Sequence, residues 1–115
     1  RIEVFPSVRA WMKELSDAWR EGAMLAIDYG GKTGEIYDRR PNGTLRAYRG
    51  QNRMTGADVY ELPGRQDITA DVNFDDLQRW ALELGWQTGD PTLLGEFAPG
   101  ASGAEAFRTI TFNKV

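Results

Sequence analysis

"AMLAID", residues 23–28, is an almost unbroken apolar run of strand length. A strand with one wet face would carry a polar residue at every second position, and this run has none before Asp28. It therefore reads as a strand covered on both faces, as in parallel sheets. Upstream, Val8, Trp11, Met12, Leu15 and Trp19 recur at helical spacing and form one apolar stripe. Lys13, Glu14, Asp17 and Arg20 fall on the opposite side of that helix. Pro6 and Ser7 read as the helix start, with Ser7 as the cap, and Gly22 as its stop. "RIEVF", residues 1–5, alternates and reads as a short strand. A helix, a glycine and a buried strand make half of a βαβ unit.

Downstream, residues 29–43 are rich in Gly and polar residues and read as a loop. "TLRAYR", 44–49, has strand content, and Gly50 to Gly64 reads as a long connection. "DITADVNF", 67–74, reads as a strand or bend. Asn73 is placed to cap a helix, with Asp75 and Asp76 in the first turn where the helix dipole favours negative charge. Phe74, Leu77, Trp80, Ala81 and Leu84 form its apolar stripe, and Gly85 closes it. Residues 86–103 read as a strand followed by a loop. "EAFRTITFNKV", 105–115, ends the chain as a strand.

The chain has 115 residues, the length of a single domain. A chain of that size buries roughly two-thirds of its unfolded surface, enough for one core. Apolar residues are 41% of the total and include four Trp and five Phe, which excludes a disordered tail. The net charge of −3 argues against nucleic acid or an acidic membrane as the main partner. Cys and His are both absent, so there is no thiolate nucleophile, no imidazole base and no Cys or His metal ligand. No apolar run approaches the ~20 residues that span a bilayer. Arg1 opens the sequence without Met, so a piece of a longer protein is expected.

Asp28 and Tyr29 stand at the carboxyl end of the apolar strand, where ligands bind in open α/β sheets. Gly30 and Gly31 would let a ligand approach the backbone; equally, Asp28 and the glycines could simply turn the chain. The arginines between Arg39 and Arg53 could grip a carboxylate or phosphate, or form a solvated hairpin. Arginine is favoured throughout, since Lys13, Lys32 and Lys114 are the only lysines. Asp67, Thr69 and Asp71 alternate and could share a face that binds a cation such as a guanidinium; the other reading is a polar face leading into a helix cap. "GGKTG", 30–34, lacks the spacing of a phosphate-binding loop.

"GAMLAIDYGG", "GTLRAYRGQ" and "LPGRQDITADVNFDDL" follow one another as segments do in the C-terminal part of the MidA family of S-adenosylmethionine-dependent methyltransferases, and "GAEAFRTITFNK" resembles that family's closing strand. The resemblance implies an α/β fold: the C-terminal half of a Rossmann-like sheet with flanking helices, and a β-rich insertion over 35–73 near the substrate side. It implies S-adenosylmethionine as cofactor of the intact protein, with the glycine-rich cofactor loop outside this chain. It implies a protein acceptor, arginine among the candidates, because the mitochondrial member is a protein arginine methyltransferase for complex I assembly. Asp28 and Tyr29 match the family's "DYG" and are the catalytic candidates. Arg46, Tyr48 and Arg49 match "LRAYR", and Asp67 and Thr69 match "DITA"; with Asp71 they are the substrate-binding candidates. Gln51 and Asp71 stand where members often carry histidine. The cytoplasm or the mitochondrial matrix is the expected location.

Two functions remain open on this reading. One is the C-terminal piece of an enzyme. The other is a non-catalytic assembly module that holds a protein partner through residues 35–65. As half of an open sheet, the chain is also expected to dimerise or swap segments at an unpaired strand edge.

Overall fold

The computed structural model describes residues 2–102 and 104–115. The elements run α1 (Pro6–Ala18), β1 (Gly22–Gly31), α2 (Thr33–Arg39), β2 (Arg46–Arg49), β3 (Asn52–Thr55), a 3-10 turn (Gly56–Tyr60), β4 (Asp67–Thr69), β5 (Val72–Asn73), α3 (Phe74–Glu83), β6 (Gln87–Thr88), β7 (Thr92–Leu93), α4 (Leu94–Phe97) and β8 (Phe107–Lys114). The fold is mixed α/β, with helices flanking a mixed sheet.

The apolar run at 23–28 is a strand, as expected. It pairs antiparallel with β8 along eight residues, from Gly22–Lys114 to Tyr29–Phe107. Among the described residues its other edge meets only β5, in parallel, at Gly30–Val72 and Gly31–Asn73. The sheet order is β5-β1-β8-β6, with β7 also on β8. Only one face of β1 is covered. Met24 and Ala26 turn toward α1 and α3, whereas Leu25, Ile27 and Tyr29 are 40%, 47% and 41% exposed on the other face. The expectation of two covered faces is thus corrected. An apolar run records what a strand can be packed against, and this chain supplies one layer.

The core lies between that face and the two helices. Met12, Phe74, Leu77, Trp80, Ala81, Trp86, Ile110 and Phe112 form a single buried cluster. Trp86 stacks edge-on against Trp19 and Phe112, and its indole N–H donates to the Ser16 hydroxyl at 2.9 Å. That bond satisfies the polar atom that burying an indole strands. In α1, Val8, Met12 and Leu15 face inward as the periodicity implied, but Trp11 is 53% exposed. The helix starts with Pro6 in its first turn after Phe5, not on a Ser7 cap, because proline's fixed φ suits the first helical position. It ends at Ala18, before Gly22. Asn73 caps α3 as expected, its Oδ1 accepting from the Asp75 and Asp76 amides at 3.0 and 3.2 Å.

Other expectations are revised. Residues 2–5 form no strand; Arg1 lies outside the described residues. The loop expected over 29–43 contains α2, held by buried Ile36 and by the Arg108–Glu35 ion pair. The connection expected over 50–64 contains β3 and the 3-10 turn. The segment between β1 and β5 builds its own sheet, ordered β3-β2-β4, all antiparallel, with Ala47 and Val59 fully buried.

Candidate functional site

β1 carries Asp28 to the rim of a cleft of about 570 Å³. Phe5, Val8 and Trp11 line it with Leu77, Trp80 and residues 70–74. Three carboxylates line the cleft: Asp28, Asp71 and Asp76. Their situations differ. Asp71 is 5% exposed and receives Arg46 Nη1 on Oδ1 at 2.9 Å and Arg40 Nε on Oδ2 at 3.1 Å. Asp76 pairs with Arg79 one turn along α3, at 2.9 Å. Asp28 is exposed and accepts only the neighbouring Tyr29 amide, at 2.7 Å. Arg108 sits directly opposite Asp28 in the ladder, yet its Nη2 goes to Glu35 at 2.6 Å. Among the described residues, Asp28 is therefore the cleft carboxylate with no cation on it.

Tyr29 follows Asp28 on the strand and points to the opposite face. There it stacks on Phe107 with ring centroids 4.2 Å apart. The two catalytic candidates are adjacent in sequence but do not share the cleft wall.

The substrate-binding candidates divide by face. The register pairs Arg46 with Thr55 and Thr69, and Tyr48 with Arg53 and Asp67. Cross-strand partners share a face, so Arg46, Tyr48, Asp67 and Thr69 lie together on one side of the small sheet, with Arg53. Arg49 lies on the other side, where its Nε and Nη2 are buried without a hydrogen-bond partner. Arg46 is 4% exposed, its Nε donating to the Tyr48 hydroxyl and its Nη1 to Asp71 and the Thr44 carbonyl. Burial pulls the Arg46 pKa down, and the bonds to Asp71 and Tyr48 more than offset this, so it lies above its ordinary value. Buried Arg46 and Asp71, with half-buried Arg40, thus form an ion triad that fastens the small sheet and the end of α2 to the start of β5.

Sequence reasoning missed Glu3 and Glu35, while Arg40, one of the arginines expected to grip a carboxylate, grips Asp71 of its own chain. Glu3 accepts from the Thr44 amide at 2.8 Å, the Leu45 amide at 3.1 Å and the Thr44 hydroxyl at 2.5 Å, pinning the entry to β2. Glu35 has its pKa lowered first by the Arg108 hydrogen bond, against a smaller opposing effect of burial. These partners are 41 and 73 residues apart, so no local pattern announces them. Among the described residues no group of three or more Asp or Glu side chains is arranged to hold a metal ion. No helix among them is long and apolar enough to cross a membrane.

The chain is thus a mixed α/β fold, with helices flanking a mixed sheet and a cleft beside β1. Two solved structures share it: an uncharacterised COG1565 superfamily protein from Burkholderia thailandensis (TM-score 0.72, 24% identity, 94% of this chain and 37% of that one) and a COG1565 superfamily member from the same organism. The second is described as a likely methyl transferase bound to S-adenosyl-homocysteine, with TM-score 0.72, 23% identity, and coverage of 96% and 36%. At this identity the likeness shows the fold. Residues 1–92 match the family described as "Putative S-adenosyl-L-methionine-dependent methyltransferase". The chain belongs to that family. It is also 38% identical over 82 residues to the mouse (Mus musculus) mitochondrial protein arginine methyltransferase NDUFAF7, a match spanning 70% of this chain and 17% of that protein. The chain spans well under half the length of each of these relatives.

The family's cofactor is S-adenosylmethionine. Near the end of β1, the space beside Gly30 is filled by β5. A Cβ on Gly30 would stand 2.0 Å from the Val72 carbonyl oxygen. Gly30 thus lets β5 approach more closely than a side chain would allow.

Proposed function

We propose that this chain is the acceptor-side portion of an S-adenosylmethionine-dependent protein methyltransferase, with arginine as the acceptor residue. Methyl transfer is an in-line displacement, and the protein's part is to position the acceptor. A guanidinium needs a carboxylate to fix its plane, and bidentate pairing does this best. Asp28 is suited to that role. The carrying observation is its exposed, unpaired carboxylate on a cleft whose other acids are bonded to arginines of the same chain. Apolar walls from Trp11, Leu77 and Trp80 would shield the pair from water and strengthen it. The arginine specificity of the mouse relative supports the acceptor's identity, and the small sheet between β1 and β5 would contribute Tyr48, Asp67 and Thr69 to the acceptor's flanks.

The unpaired edge of β1 and its apolar outer face would receive further strands and helices of the intact protein. A matrix or cytoplasmic location fits this reading, and the mouse relative is named as mitochondrial.

Methyl transfer by the full-length protein tests the proposal. Asp28→Asn should lower turnover on an arginine-containing protein by at least about tenfold, the worth of one charged hydrogen bond. Asp17→Asn, on the exposed side of α1, should leave it unchanged. Equal rates in Asp28→Asn and the unaltered protein would refute the role.

A further inference from the structure

A second concavity, of about 460 Å³, lies where α2 and its following turn face the outer strand of the small sheet. Arg39, Arg40 and Arg53 line it, with Thr55 beside them, and Glu3 is the one acid on its wall. The chain as a whole is acidic, at −3, so this concentration of cations runs against its average.

The charges there are unequally compensated. Glu3 is consumed by two backbone amides and the Thr44 hydroxyl. Arg40 gives its Nε to Asp71. Among the described residues Arg39 hydrogen-bonds to two carbonyls, of Glu35 and Gly30, each at 3.4 Å, and meets the Glu35 carboxylate only through space. The Glu35 carboxylate close to it is bonded to Arg108. Arg53 is exposed, with neither a hydrogen bond nor an ion pair to another described residue. It projects from β3, which ends its sheet and has a free edge. A short extended segment can lie along such an edge. The groove also shares a wall with the Asp28 cleft, because Arg40 lines one, Asp71 lines the other, and the two are bonded.

We infer that this groove binds an acidic peptide segment, its carboxylates held by Arg53 and Arg39. The inference deepens the acceptor-side reading and rests on it in one respect: the segment would flank the arginine presented to Asp28. Acceptors with Asp or Glu near the target arginine are then preferred over basic ones, which the groove repels.

Fluorescence anisotropy of a labelled tetraglutamate peptide on the full-length protein tests this without any methyl transfer. Binding should weaken about tenfold in Arg53→Gln, the loss of one charge-assisted contact. It should weaken further as salt rises through the range where the Debye length falls below about 8 Å. Thr55→Glu, which adds a carboxylate to the groove, should also abolish most binding. Arg20→Gln removes an equal charge beyond the far end of β1 and should leave binding unchanged. Three results would each overturn the inference: no binding to the unaltered protein, equal weakening by Arg20→Gln and Arg53→Gln, or competition by inorganic phosphate in place of tetraglutamate. Failure here with Asp28→Asn still inactive would remove the groove and leave the acceptor-side reading standing.

Discussion

Replacing Asp71 by Asn should be among the most destabilising polar changes in this chain. Arg46 keeps only 5% of its side chain exposed, and its charge is balanced by Asp71 at 2.9 Å. Removing one member of a buried pair leaves the other charged and dry, at a cost of roughly 3–5 kcal/mol. Asparagine keeps one oxygen as an acceptor, which places the expected loss near the lower end. Arg40, 26% exposed on its side chain, adds up to about 1 kcal/mol. Domains of this kind are stable by only about 5–15 kcal/mol, so a large share is lost. With a urea m-value of about 2 kcal/mol/M, the unfolding midpoint should fall by roughly 1.5–2 M. Urea melts of the full-length protein, followed by tryptophan fluorescence, read this directly. Arg46→Met combined with Asp71→Leu removes both charges and should recover most of the loss. A midpoint within about 0.3 M of the original in Asp71→Asn alone would refute the reasoning, because the triad would then hold nothing.

Gly30→Ala forces a Cβ onto the Val72 carbonyl at a φ of 154°, so it should cost at least about 2 kcal/mol by the same melt; a silent change would mean that β5 is not seated there. The Glu35 carboxyl titrates below its ordinary 4.5 because Arg108 binds it. Its contribution is therefore present above the ordinary value and is lost as pH falls through the lowered one. Glu35→Gln should flatten the acid limb of the stability–pH profile below about pH 4.5, and an unchanged limb would refute the assignment. The 115-residue chain alone should self-associate along the free edge and apolar face of β1. Light scattering should show dimers that Ile27→Lys disperses, and a monomer at high concentration in the unaltered chain would count against this.

Local signals carried part of the fold into the sequence. The run at 23–28 announced a strand, Asn73 a cap and Gly85 a stop, because each depends on neighbours a few residues away. Helix α2 was illegible. Thr33 and Gly34 lower its intrinsic propensity, and burial of Ile36 and a distant arginine hold it in place. "NRMT", 52–55, has little strand character and becomes β3 by pairing with β2. The site shows the same division. The sequence placed Asp28 at the strand's end, whereas β1 runs on to Gly31, and the lack of a cation on Asp28 depends on Arg108 turning to Glu35. Arg46 and Asp71 were legible as charged residues; that they neutralise each other follows from a contact across 25 residues.

The most direct measurement is an NMR titration of the full-length protein with N-acetyl-arginine amide, guanidino-labelled, against its Asp28→Asn form. Saturable binding that Asp28→Asn weakens about tenfold or more, with the guanidino resonances shifted only in the unaltered protein, is the expected result. Equal affinity and equal shifts in both forms would mean that the strand-end carboxylate does not hold the acceptor.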